Sequence, residues 1–257
     1  MLHRVLSRKK INYLNEIDPT LEKVFLQSPS HLSDFFHLSP EQATKLYRYL
    51  HHDSFYKQIL SDKKTYDIIT IDDENYPSLL RYTHDSPLVL YALGDLSLLE
   101  ARPSISVIGT RKPSNQAALK LSTIVKPLIE LGWVIVSGMA YGIDSLAHKL
   151  SLEEDGKTIA VLGGGFEHIY PANHISLFEN IVQNGLVLSE YPPQMKARKH
   201  HFPERNRIIS GLALATLVIE ASERSGTLIT VDQALEQGRD VYAVPDSPLL
   251  QQSAGCL

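Results

Sequence analysis

A chain of 257 residues with 43% hydrophobic and 21% charged residues has the composition of a folded globular protein, which excludes a disordered polar chain. Its formal net charge of −4 excludes a globally cationic protein that coats nucleic acid by bulk attraction, so any nucleic-acid site must be a local patch. A single cysteine, Cys256, allows neither an intrachain disulfide nor a cysteine-rich zinc site.

The segment MLHRVLSRKKINYL is basic but has no continuous apolar core, and no later run approaches the roughly 18 apolar residues of a membrane helix. A cytoplasmic protein without a membrane partner is expected. Between Leu21 and His51 the spacing of Leu21, Val24, Phe25, Leu32, Phe35, Phe36, Leu38, Leu46, Tyr47 and Leu50 is helical, interrupted by Pro29 and Pro40. Ser39-Pro40-Glu41-Gln42 reads as an N-cap serine, a proline at the first helical position and the glutamine of a capping box. A small helical domain over residues 1–62 is expected, followed by a larger domain over 63–257.

Tyr66 to Ile71 and Pro87 to Ala92 read as short strands flanking the polar turn Asp72 to Pro77. From Ile105 the pattern becomes regular. The apolar strands ISVIG, WVIVSG, TIAVLGGG, LVLSEY, ATLVIEA and DVYAV alternate with helices over Gln116–Leu131, Ile143–Leu152, Ile175–Asn184, Asn206–Gly211 and Leu228–Gln237. Near-continuous Val, Ile and Leu in strands separated by helices of about ten residues specify βαβ units. The fold class is therefore α/β, a mainly parallel sheet with helices on both faces.

Nearly every strand ends in small or polar residues: Gly109-Thr110-Arg111, Ser137-Gly138, Gly163-Gly164-Gly165, Ser189-Glu190 and Ala221-Ser222. In open parallel sheets ligands sit beyond the carboxyl ends of the strands, where helix N-termini attract anions. An anionic ligand at that edge is one reading, and tight strand-to-helix turns are the other. Neither GxGxxG with its acidic ribose anchor nor GxxxxGK[ST] is present, so no nucleotide cofactor is expected. The strongest local signal is KARKHHFPERNRIISG, which crowds Lys196, Arg198, Lys199, Arg205 and Arg207 around His200, His201 and Phe202. Cations that neutralise a phosphate backbone beside a ring that stacks on any base make a sequence-tolerant site for single strands. A solvated loop with Phe202 as a core anchor and the arginines held by Glu190 or Glu204 is the competing reading.

In order, SVIGTRKPS, VSGMAYGIDSLAH, AVLGGGFEHIYPANH, LSEYPP, HHFPERNRIISGLA, LVIEASERSGTLIT and ALEQGRDVYAVP resemble the DNA-processing protein A (DprA/Smf) family over roughly Tyr66 to Gly255. The resemblance implies an extended Rossmann-like fold preceded by a small helical domain of the sterile-alpha-motif or helix-hairpin-helix kind. It further implies binding of single-stranded DNA without strong sequence preference, loading of the RecA recombinase in natural transformation, and a homodimer. Carried onto this chain, the family's phosphate pocket falls on Arg111, Lys199 and Phe202. Gly109, Ser137, Gly138 and Gly165 would shape that pocket, and Arg205, Asn206 and Arg207 would support it. Three departures stand out: Ala172 where relatives carry a basic residue, Asp246 where they carry glycine, and an end at Leu257 where they usually continue, so the larger domain is expected to be truncated. The turn Glu16-Ile17-Asp18-Pro19 replaces the glycine-rich hairpin of a helix-hairpin-helix, and its acids would repel phosphate. The helical domain is thus expected to be a packing or interaction module.

A related fold serves nucleotide phosphoribohydrolases, and a small-nucleotide sensor is a further alternative. Enzymatic chemistry needs a paired acid and base, for which Asp144, His148, Glu190 and Glu220 are the candidates. Asp144 at a helix start also suits a cap, and His148, one turn later, suits a structural hydrogen bond to it. Ser225-Gly226-Thr227 can cradle a phosphate or cap the helix that follows. With no nucleophile elbow and no HExxH, a stoichiometric binding protein rather than an enzyme is expected. Leu212, Leu214, Leu228, Ile229 and Leu235 are apolar candidates for a dimer patch, with burial in the core as their plainer role.

Overall fold

The computed structural model describes residues 5–18, 20–100, 103–223, 225–247 and 251–256. Pro19 and Leu257 lie outside them. The chain divides into two compact units, Met1–Thr65 and Tyr66–Leu257.

The first unit is helical: α1 (Arg8–Ile17), α2 (Glu22–Phe25), α3 (Pro29–Phe36), α4 (Pro40–Leu50) and α5 (Asp53–Asp62). Its core gathers Ile11, Leu14, Val24, Leu32, Phe36, Ala43 and Leu46, the inward stripe of each amphipathic helix. The capping box forms as the spacing predicts: Ser39 Oγ accepts from Gln42 N–H and Gln42 Oε1 accepts from Ser39 N–H. Asp18 is buried rather than displayed. Its carboxylate accepts from Lys23 N–H at 2.9 Å and from Thr20 Oγ1 at 3.1 Å, fixing the entry to α2.

The second unit is an eight-stranded sheet: β1 (Asp67–Thr70), β2 (Val89–Gly94), β3 (Ser104–Ile108), β4 (Val134–Ser137), β5 (Thr158–Leu162), β6 (Leu186–Ser189), β7 (Ala215–Val218) and β8 (Asp240–Ala243). The spatial order is β1-β2-β6-β5-β4-β3-β7-β8. The β1–β2 and β2–β6 pairs are antiparallel and the other five pairs parallel. This is an extended Rossmann-like fold. The connecting helices are α6 (Ser78–Arg81), α7 (Ala117–Ile124), α8 (Lys126–Glu130), α9 (Ile143–Glu153), α10 (Ile175–Asn184), α11 (His201–Gly211) and α12 (Thr227–Glu236).

Central strands are buried on both faces, as continuous apolar runs require. Val134, Val136, Ile159, Val161, Leu186 and Leu188 pack with Ile208, Ile209 and Leu212 around α11. Their neighbours Ile105, Val107, Ile135 and Leu217 face α7, α8 and α9 on the other side.

Two helices depart from the pattern read in the sequence. The single helix expected over Gln116–Leu131 is two, because Pro127 has no N–H to donate to the preceding turn and the chain breaks at Val125. The helix expected from Asn206 begins at His201, since Pro203 lies within the first turn, where a missing N–H costs nothing. Half of the supposed basic loop is therefore helix.

Candidate nucleic-acid interface

The order of strands reverses between β3 and β7, which makes their carboxyl ends the crevice where open α/β sheets usually bind ligands. Here the chain fills that crevice itself. Thr110 N–H donates to Glu220 O at 2.7 Å, and Ser114 N–H and Oγ both donate to the Glu220 carboxylate. Lys120 Nζ bridges Glu220, at 2.7 Å, and Asp246. Gly255 N–H closes on Ala221 O at 2.7 Å. Burial pushes the Glu220 carboxyl up, but Lys120 and Ser114 outweigh it and hold it below the usual range. The Lys120 hydrogen bond holds Asp246 down at about 2, with Ser253 and the Ser247 N–H assisting. Asp246 is thus engaged by an internal cation.

The open surface lies next door, over the ends of β3, β4 and β5. Arg111, Lys112, Lys196, Arg198 and Lys199 are all exposed there, contributed by the segments after β3 and before α11. Phe202 is half-buried on the first turn of α11. Its ring lies on Gly163, where a side chain would meet it at 3.0 Å, and Tyr170 packs beside it with centroids 5.4 Å apart. Arg111 holds its guanidinium 5.7 Å from the Phe202 centroid, within cation–π range. The helix start is pinned by His201, whose Nδ1 lies 3.1 Å from Gly163 O and 3.3 Å from Arg198 N and whose ring stacks on Tyr191 at 4.1 Å. Burial lowers the His201 pKa, against the opposing pull of the Gly163 carbonyl and Glu204.

Other residues expected at the phosphate turn inward. Ser137 is fully buried and donates to Val107 O at 2.6 Å, tying β4 to β3. Gly109 and Gly165 serve close packing: a side chain would meet Ile143 at 2.5 Å in the first case and the Pro192 carbonyl oxygen at 2.1 Å in the second. Arg205, 3% exposed, donates to the carbonyls of Gly138, at 2.7 Å, and Val161. Gly138 has no side chain because the Arg205 guanidinium occupies the space a Cβ would need, at 2.5 Å. Arg207 is also buried, donating to Glu190 at 2.8 Å and to Asp85 at 3.1 Å. Asn206 sits half-buried between them. Neither arginine presents its cation to solvent, because α11 is packed into the core along most of its circumference. Ser225 Oγ accepts from Thr227 N–H and lies 2.9 Å from Thr227 Oγ1, beside exposed Gly226, so this triplet satisfies its own helix start.

The four acid–base candidates are likewise engaged. His148 is fully buried against Thr158, Glu220 holds Lys120, and Glu190 holds Arg207. Asp144 is buried at the start of α9, and burial raises its pKa against the opposing pull of Arg205 and of the Ala140 and Gly138 amides. Two exposed aromatics escaped sequence reasoning. Tyr170 is 54% exposed beside Phe202, and Tyr141 is 40% exposed at the turn into α9. A tyrosine set between strand-end glycines and a tyrosine before a proline turn were the available signals.

Residues 67–257 match the family model described as DNA recombination-mediator protein A. The chain is 46% identical over 179 residues to the DNA processing protein DprA of Bacillus subtilis, covering 70% of this chain and 60% of that protein. It is 46% identical over 187 residues to DprA of Streptococcus pneumoniae, covering 73% and 66%. The protein Smf of Synechocystis is 45% identical over 198 residues, covering 76% of this chain and 50% of that protein. The chain thus spans between half and two thirds of the length of these relatives. Its fold superposes on the crystal structure of S. pneumoniae DprA with a TM-score of 0.86 at 36% identity, covering 98% of this chain and 86% of that one. The structure of Helicobacter pylori DNA processing protein A, reported for its single-stranded DNA binding mode, gives a TM-score of 0.66 at 30% identity, covering 73% and 84%. Fold, motif order and identity agree: the chain belongs to the DNA-processing protein A (DprA/Smf) family.

Proposed function

We propose that this chain binds single-stranded DNA without strong sequence preference, through Arg111, Lys199 and the ring of Phe202. The observation that carries the reading is the exposed Arg111 guanidinium held 5.7 Å over a half-buried phenylalanine that Gly163 and Tyr170 keep in place. A base that stacks on Phe202 takes the place of the Arg111 guanidinium over the ring and frees that cation for a phosphate, with Lys199 neutralising another. Exposed cations gathered on one sheet edge supply locally what a net charge of −4 denies the molecule as a whole. Binding is read as stoichiometric, because Asp144, His148, Glu190 and Glu220 are all buried and engaged by internal partners. The H. pylori relative's reported single-strand binding mode supports the ligand class. By family resemblance, the reading extends to a cytoplasmic homodimer that hands the strand to the RecA recombinase during transformation, with two pockets gaining avidity by effective concentration.

The test is fluorescence anisotropy of a labelled oligothymidylate at several salt concentrations, competed with duplex and with AMP. Salt-sensitive binding that neither competitor displaces is expected. Arg111→Ala should weaken it and flatten the salt dependence by about 0.7 in log–log slope, the share of one phosphate contact on a single strand. Displacement by AMP, or unchanged affinity in both Arg111→Ala and Lys199→Ala, would overturn the assignment.

A further inference from the structure

Arg111 also borders a second, shallow concavity. An open cavity of about 450 Å³ is lined by Arg111, Lys112, Pro113, Tyr141, Gly142 and Leu146. We propose that this cavity is a second base subsite of the same strand, with Tyr141 as its stacking platform. The inference rests on the single-strand reading above and adds a residue and a path to it.

Three observations place a base there. Tyr141 is 40% exposed yet held in place: its hydroxyl donates to Asn173 Oδ1 at 3.3 Å and its ring packs T-shaped with His174, centroids 5.1 Å apart. A ring already ordered before binding loses little entropy when a base stacks on it. The cavity is also walled by two cations, Arg111 and Lys112, on the strand-to-helix turn after β3, placing positive charge at its rim where a phosphate linking two bases would run. Finally, the two platforms share supports. Arg111 walls the cavity and also covers Phe202, while the turn over residues 170–174 packs Tyr170 on Phe202 and His174 on Tyr141. One strand can therefore place a base on Phe202, lay its phosphate across Arg111 and place a neighbouring base in the Tyr141 cavity. Gly142 makes room for this turn. Its φ of +80° and the Thr110 carbonyl oxygen, 2.2 Å from where a Cβ would stand, admit only glycine next to the tyrosine.

The experiment titrates wild type, Tyr141→Ala and Tyr141→Phe with labelled oligothymidylates from about 4 to about 16 nucleotides, the span over which stacking sites on single strands fill. On long strands Tyr141→Ala should weaken binding by about tenfold, the loss of one stacked base. Tyr141→Phe should bind like wild type because the ring, not the hydroxyl, carries the contact. Equal binding by Tyr141→Ala and wild type at every length overturns the proposal and leaves the Phe202 site standing. A loss in Tyr141→Phe as large as in Tyr141→Ala overturns it as well. Failure of the wild type to bind any strand rejects the single-strand reading itself, and the subsite with it. As a measurement independent of any variant's folding, a 5-iodouracil strand crosslinked to wild type should label the peptide containing Tyr141. Crosslinks confined to Phe202 and Tyr170 would refute the subsite.

Discussion

Lowering the pH from about 7.5 to about 5 should destabilise this protein through His148, a buried side chain on α9. His148 is 0% exposed. Its Nδ1 lies 2.6 Å from Thr158 Oγ1, and that hydroxyl spends its own proton on Ile135 O at 2.7 Å, so Nδ1 carries the hydrogen and Nε2 a bare lone pair. Nε2 is buried without a hydrogen-bond partner. Burial first, then the charge of Arg205 and the neighbouring His174, lower the pKa to about 3 from 6.5. The folded state therefore holds the neutral ring throughout the range in which the unfolded chain takes up a proton. Above pH 6.5 neither state is protonated and His148 contributes no pH dependence. Below it, stability falls until the folded pKa is reached. At about pH 5 the unfolded pKa lies about 1.5 units above the solution pH, which corresponds to a loss of about 2 kcal/mol. Urea unfolding of wild type and His148→Gln at both pH values measures it, since the other titrating groups are common to both proteins and cancel. Wild type should lose about 2 kcal/mol more than the variant over this interval. If the difference between the two proteins changes by less than about 0.5 kcal/mol, the buried neutral histidine is refuted.

Removing the cation of the buried Arg207–Glu190 pair by Arg207→Ala should cost about 3 kcal/mol or more in denaturant unfolding, because a carboxylate 5% exposed loses its arginine; a cost under about 1 kcal/mol would contradict the burial. Arg111→Ala should leave the unfolding free energy within about 0.5 kcal/mol of wild type while weakening strand binding, whereas Arg205→Ala should unfold early because the carbonyls of Gly138 and Val161 lose their donor. Equal unfolding of the two arginine variants would show that the division into surface and core arginines is wrong. Gly142→Ala should destabilise by about 3 kcal/mol or more, since it combines a positive φ with a collision against the Thr110 carbonyl; thermal unfolding reads it, and a neutral result would refute the turn geometry.

These contrasts separate arginines that look alike in the sequence. Arg111, Arg205 and Arg207 all sit in motifs rich in glycine or base, yet one faces solvent and two are structural. Arg205 and Arg207 lie two positions apart on α11, on different sides of the helix, so one reaches the Gly138 carbonyl and the other Glu190.

The sequence by itself determined the α/β class, the alternation of strands and helices from Ile105 onward, the capping box at Ser39 and the strand ends where a ligand edge would lie. Those features are local: apolar runs buried on both faces, helical periodicity and capping side chains act within a few residues and leave their mark on composition and spacing. Tertiary structure alone decided the antiparallel β1 and β2, the filling of the β3–β7 crevice by Glu220, Lys120 and Asp246, and the inward turn of Ser137, Arg205 and Arg207. It alone also set Arg111 over Phe202 and Tyr141 over its cavity. Each of these joins residues far apart in the chain, and which partner a cation meets depends on how packed elements rotate about one another, a quantity that no local pattern encodes.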